Sequence, residues 1–195
     1  MKTLLCSLTA LFLLCFNLSV VADEAEQHRI NPGKVLGVVV GDWNKDGGMD
    51  RAILVAPDNE DHDVGLYIYL QDDANNSQLE IFKPNLVWTG IMWGNTPSLG
   101  VTSTGSLQVL SQNQAIGRNR WSQKLTIAFR NNHFVVAGYT YESYDTLDVN
   151  SEMTCDVNLL TGKGFVNKKA FRTQQVNIKL ADWSDQSVPK ECRQE

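Results

Sequence analysis

The chain has 195 residues, 43% of them hydrophobic and 20% charged, with a formal net charge of -5 at pH 7. That length supports one domain with a substantial core. The mild acidity gives no electrostatic footprint for nucleic acid or for an anionic membrane surface.

In chain order, Lys2, an apolar run from Leu4 to Phe16, and Val20-Val21-Ala22 before Asp23 read as a secretory signal peptide over residues 1–22. The run is too short for a membrane span. Leu5 and Leu14, which precede Cys6 and Cys15, do not form the small-residue pattern of a lipid-anchored cysteine. The expected mature chain, residues 23–195, is therefore a single β domain, exported to the periplasm or the cell exterior without membrane insertion. Removal of the leader leaves Cys155 and Cys192 as a pair, expected to form one disulfide in an oxidising compartment. Residues 22–29 read as a short helix or a loose N-terminus.

From there the periodicity is that of β structure. Val64, Leu66, Ile68 and Leu70 alternate with Gly65, Tyr67 and Tyr69, the two-residue period of a strand with distinct faces. Strands are also expected at 35–40, 51–56, 78–82 and 106–110, and then at 124–130 and 134–141 around Asn131-Asn132, a tight-turn pair. A turn at Thr161-Gly162-Lys163-Gly164 joins a strand over 153–159 to one from Phe165 onward, and a last strand is expected at 172–180. About ten short strands with polar turns predict an all-β fold, an antiparallel sandwich or open barrel.

One loop carries a chemical signature. Asp42, Asn44, Asp46 and Asp50 stand at positions 1, 3, 5 and 9, with Gly47 at position 6 and the Gly48 carbonyl at position 7. A hard cation such as calcium takes six to eight oxygens, so short oxygen-bearing side chains alternate around a sharp turn. Position 12 is Ile53, where an EF-hand needs a bidentate Glu. The calcium expected here is structural. Asp148, Asn150, Glu152 and Asp156 repeat the spacing with Met153 where the glycine should be, which reads first as an acidic turn and second as a weak metal loop. The run Asp58-Asn59-Glu60-Asp61-His62-Asp63 reads first as a solvated turn and second as the source of an extra ligand for the 42–50 loop.

The segment Gly41-Asp42-Trp43-Asn44-Lys45-Asp46-Gly47, followed by Asp50 to Pro57 and by Val64 to Leu70, resembles a single FG-GAP or VCBS-type repeat. In those families the acidic loop joins two strands and binds calcium, and its second position is aromatic, as Trp43 is here. Such repeats build propellers in sets; one copy in a chain of this length implies the loop and not the propeller. Gly117 to Trp121 and Asp156 to Gly164 also resemble a recurring type of small secreted bacterial protein of unassigned role, which implies no chemistry.

Signatures of catalysis are mostly absent, though distant acids can converge in the fold as the carboxylate pair of a glycoside hydrolase. His28, His62 and His133 lack metal-pair spacing, Gly105-Ser106-Leu107 lacks the flanks of a nucleophile elbow, and Thr161 to Gly164 lacks the glycine and hydroxyl of a phosphate loop. Trp88, Trp93, Trp121, Tyr139 and Tyr141, with Tyr144, read either as core or as a platform for a glycan or a protein. The function expected from these features is a calcium-stabilised binding module with a protein or glycan partner. The alternatives are an inhibitor or immunity-type partner of a secreted enzyme, and a small calcium-ordered hydrolase.

Overall fold

The computed structural model describes residues 29–59, 63–90 and 94–193. The expected leader, the 22–29 segment apart from Arg29, Glu60 to His62 and Trp93 lie outside them. The chain divides into two compact units, Met1–Gly33 and Lys34–Glu195. In the first, a backbone N–H of Gly33 donates to Asn31 Oδ1 at 3.0 Å.

The described residues of the second unit carry eleven strands: β1 (Val35–Gly41), β2 (Asp50–Val55), β3 (Val64–Gln71), β4 (Ser77–Val87), β5 (Ser98–Val101), β6 (Leu107–Asn113), β7 (Asn119–Arg130), β8 (His133–Asp145), β9 (Asp148–Asn158), β10 (Lys163–Val166) and β11 (Lys169–Arg172). They form two antiparallel sheets, one ordered β1-β2-β3-β4 and the other β11-β10-β9-β8-β7-β6-β5. The fold is all-β, an open sandwich. Among the described residues no helix is long and apolar enough to cross a membrane.

The alternating residues of β2 and β3 bury Ala52, Leu54, Val64, Leu66 and Ile68 against Leu107, Val109, Leu125, Ile127 and Val157 of the larger sheet. At one edge β1 packs beside β5. Four strands do not cover seven, and the uncovered inner face is closed by the segment after β11. Its 3-10 turns at Leu180–Asp182, Asp185–Ser187 and Lys190–Cys192 contribute Leu180, Trp183, Val188 and Cys192 to the core. The Cys155–Cys192 disulfide, Cα to Cα 5.5 Å, fastens this strap to β9. Such a bond is compatible with an oxidising, exported compartment.

Three expectations change. β5 forms where no strand is expected, and β4, β7, β8 and β9 extend beyond their expected limits. The strand expected at 172–180 is largely absent: after Arg172 the chain crosses the sheet, giving Val176 N–H to the Leu159 carbonyl and taking Val136 N–H on the Ile178 carbonyl, both at 3.0 Å. The acidic turn, or weak metal loop, expected at 148–156 is instead extended β9. In a strand, four residues span about 13 Å. Glu152 and Asp156 therefore stand far apart on the exposed face, and Asp148, Asn150, Glu152 and Asp156 cannot ring one cation.

Candidate functional site

Two places gather the side chains singled out by sequence. The first is the loop between β1 and β2. Gly47 takes φ +92°, a left-handed conformation that suits glycine, and its N–H folds back onto Asp42 Oδ2 at 3.1 Å. Asn44 Oδ1 accepts from the Asp46 N–H at 3.2 Å, and Asp46 Oδ1 accepts from the Gly48 N–H at 2.7 Å. Gly48 lies so close to β3 that a Cβ there would collide with the Gln71 carbonyl oxygen.

Asp50 is the anchor of this loop. Its carboxylate is fully buried, with Oδ2 accepting from Trp43 N–H at 2.9 Å and Oδ1 from Gln71 N–H at 3.1 Å. Burial pushes its pKa up, and the hydrogen bonds from Gln71, Trp43 and Asn44 oppose that rise. The Asp50 bond to the Trp43 backbone helps seat the indole in the core, edge-on to Phe134 with ring centroids 6.4 Å apart. Among the described residues no three His, Cys, Asp or Glu side chains come together in a group able to hold a metal ion. In the loop, Asp42 Oδ2, Asp46 Oδ1 and both oxygens of Asp50 accept from backbone N–H groups.

The second place follows from the inner face of the large sheet, read across the strand register. One row runs Val109, Leu125, Tyr139, Val157; the next runs Ser111, Gln123, Tyr141, Cys155; the next runs Asn113, Trp121, Ser143, Met153. The rows change from aliphatic to aromatic and amide. Where they do, a groove of about 940 Å³ opens between this sheet, β4 and the strap.

Trp88, at the end of β4, meets Trp121 of β7 with ring centroids 5.4 Å apart, and Trp121 stacks towards Tyr141 of β8 at 6.5 Å. All three are half-buried and line the groove. Tyr139 lies beneath them, parallel to Tyr141 at 6.2 Å and 5% exposed, so it supports the groove instead of lining it. Burial pushes the phenols of both tyrosines up.

β4 shapes the opposite wall. Val64 pairs with Val87 while Leu66 pairs with Lys83, so Pro84, Asn85 and Leu86 bulge opposite Gly65. Proline, with no N–H for the ladder, is at home in such an edge-strand bulge. Asn85 Oδ1 takes the Asp63 N–H at 3.2 Å, and Lys83 Nζ reaches across to the Ala181 carbonyl at 3.0 Å, tying β4 to the strap. Ser111 Oγ donates to the Trp88 carbonyl at 2.7 Å and fixes that corner.

Sequence reasoning missed Trp183, Asp63, Asp185 and Gln123, all of which line the groove. One signal was available: alternate residues of β6 and β7, Leu107-Val109-Ser111-Asn113 and Ile127-Leu125-Gln123-Trp121, turn from aliphatic to polar or aromatic in the same direction. Burial and the Asp185 carboxylate push Asp63 above the usual carboxylate range.

Comparison with known proteins adds no assignment: no family model, no curated protein and no solved structure matches this chain.

Proposed function

We propose that the protein is an exported binding module, stabilised by calcium in the 42–50 loop, that meets its partner through the aromatic groove. The partner is a glycan or a protein. The observation behind this reading is the convergence of Trp88, just after β4, with Trp121 and Tyr141 of the paired strands β7 and β8, onto one groove that also holds carboxylate and amide groups. Specific sites combine apolar and aromatic walls with a few placed polar groups in this way.

The calcium part of the proposal rests on the ligand spacing, on the resemblance to one FG-GAP or VCBS-type repeat, and on the left-handed turn at Gly47. The ion would take the second oxygen of Asp42 and compete for those of Asn44, Asp46 and Asp50 with the hydrogen bonds they now accept, the Gly48 carbonyl completing the set. Calcium would hold the β1–β2 connection and polarise no substrate. An inhibitor of a secreted enzyme uses the same scaffold and the same test.

Immobilised protein, with calcium or with a chelator, is exposed to native culture medium beside a Trp121→Ala variant. The proposal expects a defined partner that the variant fails to retain. Equal retention by both places contact elsewhere. A second reading, a hydrolase, draws on the two groove carboxylates Asp63 and Asp185. Turnover of a glycan or ester that disappears in Asp63→Asn would replace the binding proposal.

A further inference from the structure

The groove holds an unbalanced charge. Asp63, just before β3, and Asp185, on the strap, both line it, and neither makes an ion pair among the described residues, where Arg118–Asp145 is the one that forms. They are near enough for the Asp185 charge to raise the Asp63 pKa. The lysine in the lining, Lys83, gives its ammonium to the Ala181 carbonyl. Two carboxylates against this one lysine leave a net negative charge in the lining, which a cation arriving with a ligand would balance. Beside them stand the rings of Trp88, Trp121, Tyr141 and Trp183, whose electron-rich faces attract cations within about 6 Å of the ring centre.

We propose that the groove binds amino sugars, with the ring of a glucosamine-type unit stacked on Trp121 and Tyr141 and its ammonium group set between Asp63 and Asp185. The inference rests on the groove being the contact surface and names its ligand class. A volume of about 940 Å³ lies near the top of the roughly 300–1,000 Å³ range of small-ligand sites, enough for more than one ring. The Gln123 amide, which makes no hydrogen bond among the described residues, and the Ser184 hydroxyl are placed to meet sugar hydroxyls. A basic peptide would satisfy the carboxylates, yet its flexible side chains use the flat aromatic wall less fully than a rigid sugar ring. The net charge of -5 also favours a cationic ligand over an anionic one.

The test titrates the full exported chain with short chitosan oligomers, with N-acetylated oligomers of equal length and with a lysine-containing peptide, read by tryptophan fluorescence and calorimetry. The expected result is binding of the amine oligomer about tenfold or more tighter than of its N-acetylated counterpart, a free-energy difference that one charge-assisted contact can supply. Asp185→Asn, at an exposed side chain outside the core, should remove most of that preference, and Trp121→Ala should weaken both oligomers.

Equal affinity for the two oligomers overturns the assignment. So does chitosan binding that neither variant reduces, which is nonspecific attraction to an acidic protein. Tighter binding of the lysine peptide than of either sugar also overturns it. If no sugar binds while a protein partner is still captured through Trp121, the ligand class is wrong and the groove remains the contact surface. If Trp121→Ala changes neither capture nor titration, both readings fall.

Discussion

At the hairpin end of β7 and β8, Trp43 is wedged against Phe134 with 6% of its surface exposed, whereas towards the other end of the same strands Trp121 and Tyr141 stand half-buried beside Trp88. The two ends lie about 26 Å apart along β7. The residues around the rings make the difference. Near Trp43 they are aliphatic and aromatic, and the Asp42–Met49 loop closes over them; near Trp121 they are Asn113, Gln123 and Ser143, and the covering element is a strap that leaves a gap. Aromatic side chains become core or groove wall according to the rows in which they stand.

The sharpest way to break this contrast is to truncate one ring at each end. Trp43→Ala should lower unfolding free energy by about 3–5 kcal/mol, the usual range for a buried Trp, and leave partner affinity of the folded fraction unchanged. Trp121→Ala should lower stability by less, about 1–2 kcal/mol, since part of its surface faces the groove, and abolish partner retention. Denaturant unfolding and the capture assay measure both quantities on the same samples. Equal stability losses would dissolve the distinction.

Next in size is the strap. Cys192→Ser opens a cross-link between residues 37 apart in sequence, worth about 4 kcal/mol in the chain-entropy model. Its effect should fall at the groove end, where Trp183 and Asp185 line the wall, so partner binding should weaken as the melting temperature drops. Calorimetry with and without reductant checks the size on the native protein.

Calcium should act at the other end. Free calcium about a hundredfold above its Kd would add about 2.7 kcal/mol, a rise of several degrees in melting temperature that Asp46→Ala abolishes. A melting temperature indifferent to both calcium and chelator would remove the metal from the loop. The smallest effect belongs to the groove-end ion pair, Arg118 Nε to Asp145 at 2.6 Å. The Arg118 hydrogen bond and the Leu147 N–H hold Asp145 below the usual carboxylate range. Its contribution is thus present above the unfolded pKa of the group and lost as pH falls through the lowered folded value. Asp145→Asn should lower the melting temperature slightly at neutral pH, where the contribution is present, and match the parent in acid, which flattens that limb of the profile.

Much of the fold is legible because it is local. Asn131 and Asn132 take φ of 50° and 61°, the left-handed geometry their side chains tolerate, and the hairpin forms where expected. The Val64 to Leu70 alternation likewise appears as β3. β5 is hidden because it has four residues, one of them Gly100, and exists through its pairing with β6. The strand expected at 172–180 fails for a subtler reason. Val176, Ile178 and Leu180 do alternate inward, yet the chain crosses the sheet there and makes isolated hydrogen bonds in place of a ladder. Of the candidate site, Trp88, Trp121 and Tyr141 are legible as residue types, but their meeting depends on register and on a bulge in β4, which no single stretch of sequence encodes.

The strap has a consequence for biogenesis. It follows all the described strands in chain order, so when the chain emerges from its N-terminal side, the part of the inner face of β8 and β9 that the smaller sheet leaves bare has no cover until Leu180 to Cys192 arrive. The groove wall would be the last part of the molecule to come into being, and a nascent chain halted before Trp183 should be held by chaperones and lack the binding proposed for the groove.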